Sequence, residues 1–239
     1  MANTDFLVRR SAGHWFLAGL LGALLSAPLA AEDLDLGEQI AHHGVDHASP
    51  CVGCHGQQGE GNAAASFPRL AGLPEAYLYD QMAAFVDGRR DNALMATQDK
   101  DLTEAQRRAV AAWYAEQPAA VDDMPKPDKD LMRLGEQLAT KGDWSAGLEN
   151  GIPACVQCHG PGGRGAGAAF PPLAGQPAKY LSGQLQAWQA GKRRGEPLGM
   201  MGAIAKRLDD RQIQAVSTWL AHQPVKARND VGATREAAK

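Results

Sequence analysis

The chain has 239 residues, 44% of them hydrophobic and 21% charged, with a formal net charge of −3 and four cysteines. The length allows one domain or two. No basic patch interleaved with aromatics and no known motif points to nucleic acid, so binding of that kind is set aside.

Residues 1–31 read as a secretory signal peptide. Arg9 and Arg10 supply its positive region, residues 15–25 an apolar stretch, and residues 26–31 a small-residue zone with cleavage expected near Ala30 or Ala31. The apolar run falls short of the about 20 residues that a membrane span needs. No later segment reads as transmembrane. The expectation is a periplasmic protein without stable membrane insertion after cleavage; an uncleaved anchor is the competing reading.

A first domain is expected over residues 32–118. Leu36 and Ile40 recur at i and i+4 and predict its first helix. Cys51-Val52-Gly53-Cys54-His55 follows. C-x-x-C-H is the attachment pattern of c-type haem: two thiols form thioether bonds to the porphyrin, and the adjacent imidazole becomes an axial iron ligand. One helical turn brings both sulfurs to the porphyrin edge while the histidine faces back to the iron. Pro74 is placed to open a middle helix that carries Tyr77, Leu78, Met82 and Phe85. A final helix is expected from Thr103 and Glu104, burying Val110 and Trp113 and ending before Gln117-Pro118. Residues 119–130, with Pro125, Pro127 and several charges, read as a linker.

The pattern then repeats over residues 131–224. Leu134-Gly135-Glu136-Gln137-Leu138-Ala139 answers Leu36-Gly37-Glu38-Gln39-Ile40-Ala41, and Cys155-Val156-Gln157-Cys158-His159 answers the first motif. Phe67-Pro68 and Leu70-Ala71-Gly72 match Phe170-Pro171 and Leu173-Ala174-Gly175. Tyr77, Gln81 and Gly88 match Tyr180, Gln184 and Gly191. Pro177 and Asp209 are placed to start the later helices, the last of which buries Ile213, Val216 and Leu220. No alternating strand pattern stands out, so the fold class is all-α: two tandem small domains, each built around a covalently held haem that supplies the apolar centre so small a unit lacks. Gly37 and Gly135 are read as close crossing points for the last helix and its tryptophan. Residues 225–239 form a polar tail.

All four cysteines sit in the two motifs. Export permits disulfides, and the same residue types could bind zinc. A zinc site would want its ligands clustered, whereas these motifs lie about a hundred residues apart in separate repeats. Two c-type haems are therefore the cofactors expected, held by Cys51, Cys54, Cys155 and Cys158, with His55 and His159 on the irons.

The repeat also nominates the opposite ligands. Met95 lies seven residues before Leu102, and Met201 seven before Leu208. Met82 faces Leu185 in the repeat and reads as core filling. Met200 stays open as a rival to Met201. His42, His43 and His47 would be needed for a bis-histidine iron, but nothing equivalent precedes the second motif. Methionine–histidine ligation raises reduction potential and fills the coordination sphere, which favours electron transfer over catalysis.

On these motifs each unit resembles a class I cytochrome c domain, and the pair resembles the two-haem cytochrome c4 family. The resemblance covers about residues 34–224. It implies ligation of iron by His55 with Met95 and by His159 with Met201, and a role for the Pro68 and Pro171 carbonyls in orienting the imidazoles. It also implies two packed lobes whose haems exchange electrons, and a monomer that carries electrons between a redox donor and acceptor, often toward a terminal oxidase. The approach to the second motif, residues 141–154, is about six residues longer than its counterpart; it reads as a loop or an added contact surface.

Charge separates the halves. Residues 32–124 hold 16 acidic and 6 basic side chains, net −10, and residues 125–239 hold 10 and 16, net +6. Opposite potentials would steer partners to each lobe. A periplasmic electron carrier is the leading reading. The alternatives are a fixed electron-transfer subunit of a membrane dehydrogenase or oxidase, and a di-haem enzyme such as a peroxidase or a thiosulfate-oxidising cytochrome.

Overall fold

A computed structural model describes residues 27–120 and 126–225. The expected signal peptide lies outside the described residues up to position 26, and the polar tail lies outside them after Val225. No described helix is long and apolar enough to cross a membrane.

The first lobe contains α1 (Ala27–His43), the single turn α2 (Val52–His55), α3 (Glu75–Val86), α4 (Ala93–Asp99) and α5 (Glu104–Glu116). The second contains α6 (Lys129–Lys141), the short α7 (Gly147–Asn150), α8 (Val156–His159), α9 (Ala178–Gln189), α10 (Met200–Ala205) and α11 (Asp210–Ala221). Only isolated β-bridges occur among the described residues. The fold is all-α, as the periodicity implies.

Local chemistry sets the helix starts. Thr103 and Gln106 form a reciprocal capping box at α5, and Asp209 and Gln212 form its counterpart at α11. Pro74 and Pro177 stand just outside α3 and α9, at the cap, one place earlier than expected. Asp128 caps α6 by accepting from the Leu131 amide at 2.9 Å, so that helix begins at Lys129, inside the stretch read as linker.

In each lobe the first helix crosses the last one, α1 on α5 and α6 on α11. The contact is close because of one glycine per lobe. A Cβ on Gly37 would stand 2.2 Å from the Ala109 carbonyl oxygen and 2.8 Å from Trp113 Cβ. One on Gly135 would stand 2.2 Å from the Ala215 carbonyl oxygen and 2.7 Å from Trp219 Cβ. Ile40, Met82, Val110, Trp113 and Tyr114 fill the first core, and Leu138, Leu181, Val216, Trp219 and Leu220 the second.

The lobes meet about a local pseudo-twofold axis. Asp91 N donates to the Lys192 carbonyl and Arg194 N to the Arg89 carbonyl, both at 2.7 Å, making an antiparallel bridge at Arg90 and Arg193. These four donors and acceptors are exchanged by the repeat, which is how two like surfaces form an isologous contact.

The longer approach to the second motif is ordered. Asp143 and Ile152 close it with reciprocal backbone bonds, α7 lies within it, and Arg207 Nη1 donates to the Gly151 carbonyl at 2.7 Å.

Candidate haem sites

Each lobe encloses one large cavity, of about 560 Å³ in the first and about 480 Å³ in the second. Both sizes suit a bound small molecule. Cys51, Cys54, His55 and Met95 line the first together; Cys155, Cys158, His159, Met200 and Met201 line the second. His55 and Met95, 40 residues apart, and His159 and Met201, 42 apart, thus converge on one space in each lobe.

The histidines are held by backbone. His55 Nδ1 lies 3.0 Å from the Pro68 carbonyl oxygen, and His159 Nδ1 lies 2.9 Å from that of Pro171. Donating from Nδ1 leaves Nε2 without a proton and free to bind metal. Burial lowers the pKa of both imidazoles, against the opposing pull of the carbonyl bond. The neutral form, which is the ligating form, is favoured. Phe67 and Phe170 pack beside the two rings with centroids 6.2 Å away.

Burial pushes the Cys51 and Cys155 thiols up to about 11. Among the described residues no group of three or more His, Cys, Asp or Glu could hold a metal ion by itself. The reading to set against the cavity walls is a large ligand that carries its own iron.

The cavity walls fit such a ligand. They are mainly apolar, and their polar edge is a cluster shared by both lobes. Arg90 Nη2 donates to the Tyr180 hydroxyl and to Gln184 Oε1, both at 2.7 Å, and its Nη1 to Gln81 Oε1 at 3.0 Å. Arg193 mirrors this on Tyr77, Gln81 and Gln184, at 3.2, 2.7 and 2.9 Å. All six side chains border both cavities. Two buried guanidiniums without a carboxylate in the cluster are matched to an anionic partner. A haem, with an apolar macrocycle and two carboxylates, has that composition.

One wall residue breaks the repeat. Asp99, one turn beyond Met95, is 3% exposed, and its Oδ2 has no hydrogen-bond partner. Burial pushes its carboxyl up to about 7, while Arg107 and Arg90 pull the other way. Ala205 stands at the equivalent place in the second lobe.

His42, His43 and His47 do not line the first cavity; His42 instead packs edge-on against Trp113, with centroids 5.4 Å apart. The sequence reading paired Tyr77 with Tyr180 and Gln81 with Gln184 but gave them no role, and it passed over Arg90 and Arg193. Their equal spacing after Gly88 and Gly191 was the available signal. Asp99 carried none.

The sequence model of the cytochrome c family matches residues 43–116 and 134–224. A thiosulfate dehydrogenase electron acceptor from Thiomonas intermedia (strain K12) is 49% identical over 178 residues, 74% of this chain and 80% of that protein. The crystal structure of reduced recombinant cytochrome c4 from Pseudomonas stutzeri superposes with a TM-score of 0.68 at 28% identity, covering 80% of this chain and 98% of that one. A thiosulfate dehydrogenase structure (TsdBA) from Marichromatium purpuratum gives a TM-score of 0.75 at 42% identity, covering 80% of this chain but 40% of that longer one.

Proposed function

The chain belongs to the cytochrome c family, as a two-haem, cytochrome c4-like electron carrier, and from that premise we propose that it is a periplasmic acceptor of electrons from a thiosulfate-oxidising dehydrogenase. The observation that carries the reading is the convergence, in each lobe, of a C-x-x-C-H motif and a methionine on one apolar cavity.

When bound, each haem would supply a one-electron ferric–ferrous couple. Cys51, Cys54, Cys155 and Cys158 would hold the groups in place through thioether bonds. His55 with Met95, and His159 with Met201, would ligate the two irons, and no coordination position would then be left for a substrate. Pro68 and Pro171 fix the imidazoles by accepting from Nδ1. Arg90 and Arg193 are placed to neutralise carboxylates at the polar edge, and the apolar walls exclude water. Ligation that does not change with oxidation state suits transfer without catalysis, so this chain alone is proposed to turn over no small substrate.

Similarity to the Thiomonas intermedia acceptor supports the choice of donor. The onward acceptor is a further redox protein, with a terminal oxidase as the class expected. A standing subunit of the dehydrogenase is the second reading, supported by the related unit within the longer Marichromatium purpuratum chain.

Anaerobic mixing of the purified oxidised protein with thiosulfate tests the proposal. Reduction is expected only when a catalytic amount of thiosulfate dehydrogenase is added. Reduction by thiosulfate alone would make the chain an enzyme, and no reduction in either case would remove the proposed donor.

A further inference from the structure

We propose that Arg69 is a permanent cation shared by the two haem sites, sealed between the lobes, which raises the reduction potential of both irons. The proposal rests on the reading of His55 and His159 as axial ligands.

Arg69 directly follows Pro68, the acceptor for His55. It is 2% exposed. Its Nη1 donates to the Ala71 carbonyl in its own lobe, and its Nη2 to the Ala174 carbonyl of the other at 3.0 Å. Ala174 lies three residues after Pro171, the acceptor for His159. The Arg69 backbone is held as well: Gln176 Oε1 accepts from its N–H at 3.0 Å, and Gln176 Nε2 donates to its carbonyl at 2.8 Å. The repeat places Pro172 and Leu73 where Arg69 and Gln176 stand. The pseudo-twofold is therefore broken here, and the pair of lobes has one such cation.

Among the described residues no carboxylate pairs with this guanidinium. Its bonds go to neutral carbonyls, and Nε has no partner. It lines neither cavity. Burial pulls its pKa down to about 10, which leaves it charged at neutral pH. An unpaired buried charge is unfavourable, and an apolar residue of similar volume would serve packing better. What the charge provides is a field. In a poorly polarisable interior that field decays less than one from the surface. It favours the iron state with one positive charge fewer, so electron uptake by either iron becomes more favourable, with no proton exchanged. Because the guanidinium rests between the carbonyl loops of both histidines, both couples feel it.

Spectroelectrochemical titration of the holoprotein tests this. Arg69→Met removes the charge at similar volume; Gln176→Leu removes two clamp bonds and keeps the charge. Both midpoint potentials are expected to fall in R69M and to stay at the wild-type values in Q176L, with the pH dependence unchanged in each. If R69M does not fold, R69Q, which keeps amide donors without charge, carries the same expectation. Unchanged potentials in a folded R69M or R69Q, or equal shifts in Q176L, would overturn the proposal. Failure of the ligand reading would appear separately, as a wild-type spectrum without methionine–ferric-iron absorption.

Discussion

Arg90 donates to the Tyr180 hydroxyl across the lobe interface at 2.7 Å, while the mirrored bond from Arg193 to Tyr77 is longer, at 3.2 Å. The two halves of the cluster are alike in chemistry but unequal in geometry. Hydrogen bonds from a charged group contribute roughly 1.5–3 kcal/mol each, and a buried acceptor left alone is penalised. Arg90→Met is therefore expected to destabilise the holoprotein by about 2–3 kcal/mol, and Arg193→Met by less. Denaturant titrations of the two variants would measure the difference. Equal and negligible losses would mean that the backbone bridge at Asp91 and Arg194, rather than this cluster, holds the lobes.

The helix crossings give a second prediction, with an internal control. Alanine at Gly37 or Gly135 would meet backbone at 2.2 Å, so α1 or α6 would have to move off its partner. Overpacking of this kind costs about 1–3 kcal/mol, more than the about 1 kcal/mol that alanine gains over glycine in a helix. Nothing lies within 4 Å of a Cβ at exposed Gly53 in α2, where the repeat carries Gln157. Gly53→Ala should accordingly raise the melting temperature, while Gly37→Ala and Gly135→Ala lower it.

These sites differ in how far the sequence announced them. Gly37 and Gly135 were legible because the repeat places each ahead of a tryptophan helix, and a helical glycine kept twice has few uses besides close packing. The cavity residues were legible for a similar reason: C-x-x-C-H is local chemistry, and the methionines keep their spacing to the last helix. The interface was not. Arg69 and Gln176 lie on loops, 107 residues apart, and have no counterpart in the other repeat. Periodicity reports which face a residue shows to its own core, and it carries nothing about contacts between two cores. Arg90 and Arg193 sit between these cases, repeated in sequence but paired only across the axis.

Asp99 supplies a prediction about pH. Its carboxyl titrates near 7 in the folded protein because burial disfavours the anion, against about 3.8 for the ordinary group. Between those values the folded state holds a proton that the unfolded state has lost. Stability must then fall as pH rises from about 4 to about 7, and the loss is complete above it. Asp99→Asn removes the effect. The variant should match the parent near pH 4 and exceed it by roughly 1–3 kcal/mol at pH 8. Thermal unfolding at the two pH values would decide it. A constant gap would mean that Arg107 and Arg90 fully offset what burial costs the carboxylate.

The last prediction separates two adjacent methionines. Met200 and Met201 both line the second cavity, at the start of α10. In the repeat Met201 answers Met95 and Met200 answers Leu94, which is 51% exposed. The position before the proposed ligand is thus one that the first lobe turns largely to solvent. α10 also begins after Gly199 in the left-handed region, φ 62°, a turn absent before α4, where Asn92 caps the helix. That turn absorbs the insertion at residues 195–199 and lets the helix resume the same spacing to Leu208. Met201→Leu should therefore remove the methionine–ferric-iron absorption of one haem and lower one of the two midpoint potentials, since methionine ligation raises them. Met95→Leu should do the same to the other, and Met200→Leu should leave both bands and both potentials in place. Loss of the band in Met200→Leu with its retention in Met201→Leu would reverse the assignment and show that the insertion shifts the ligand by one residue.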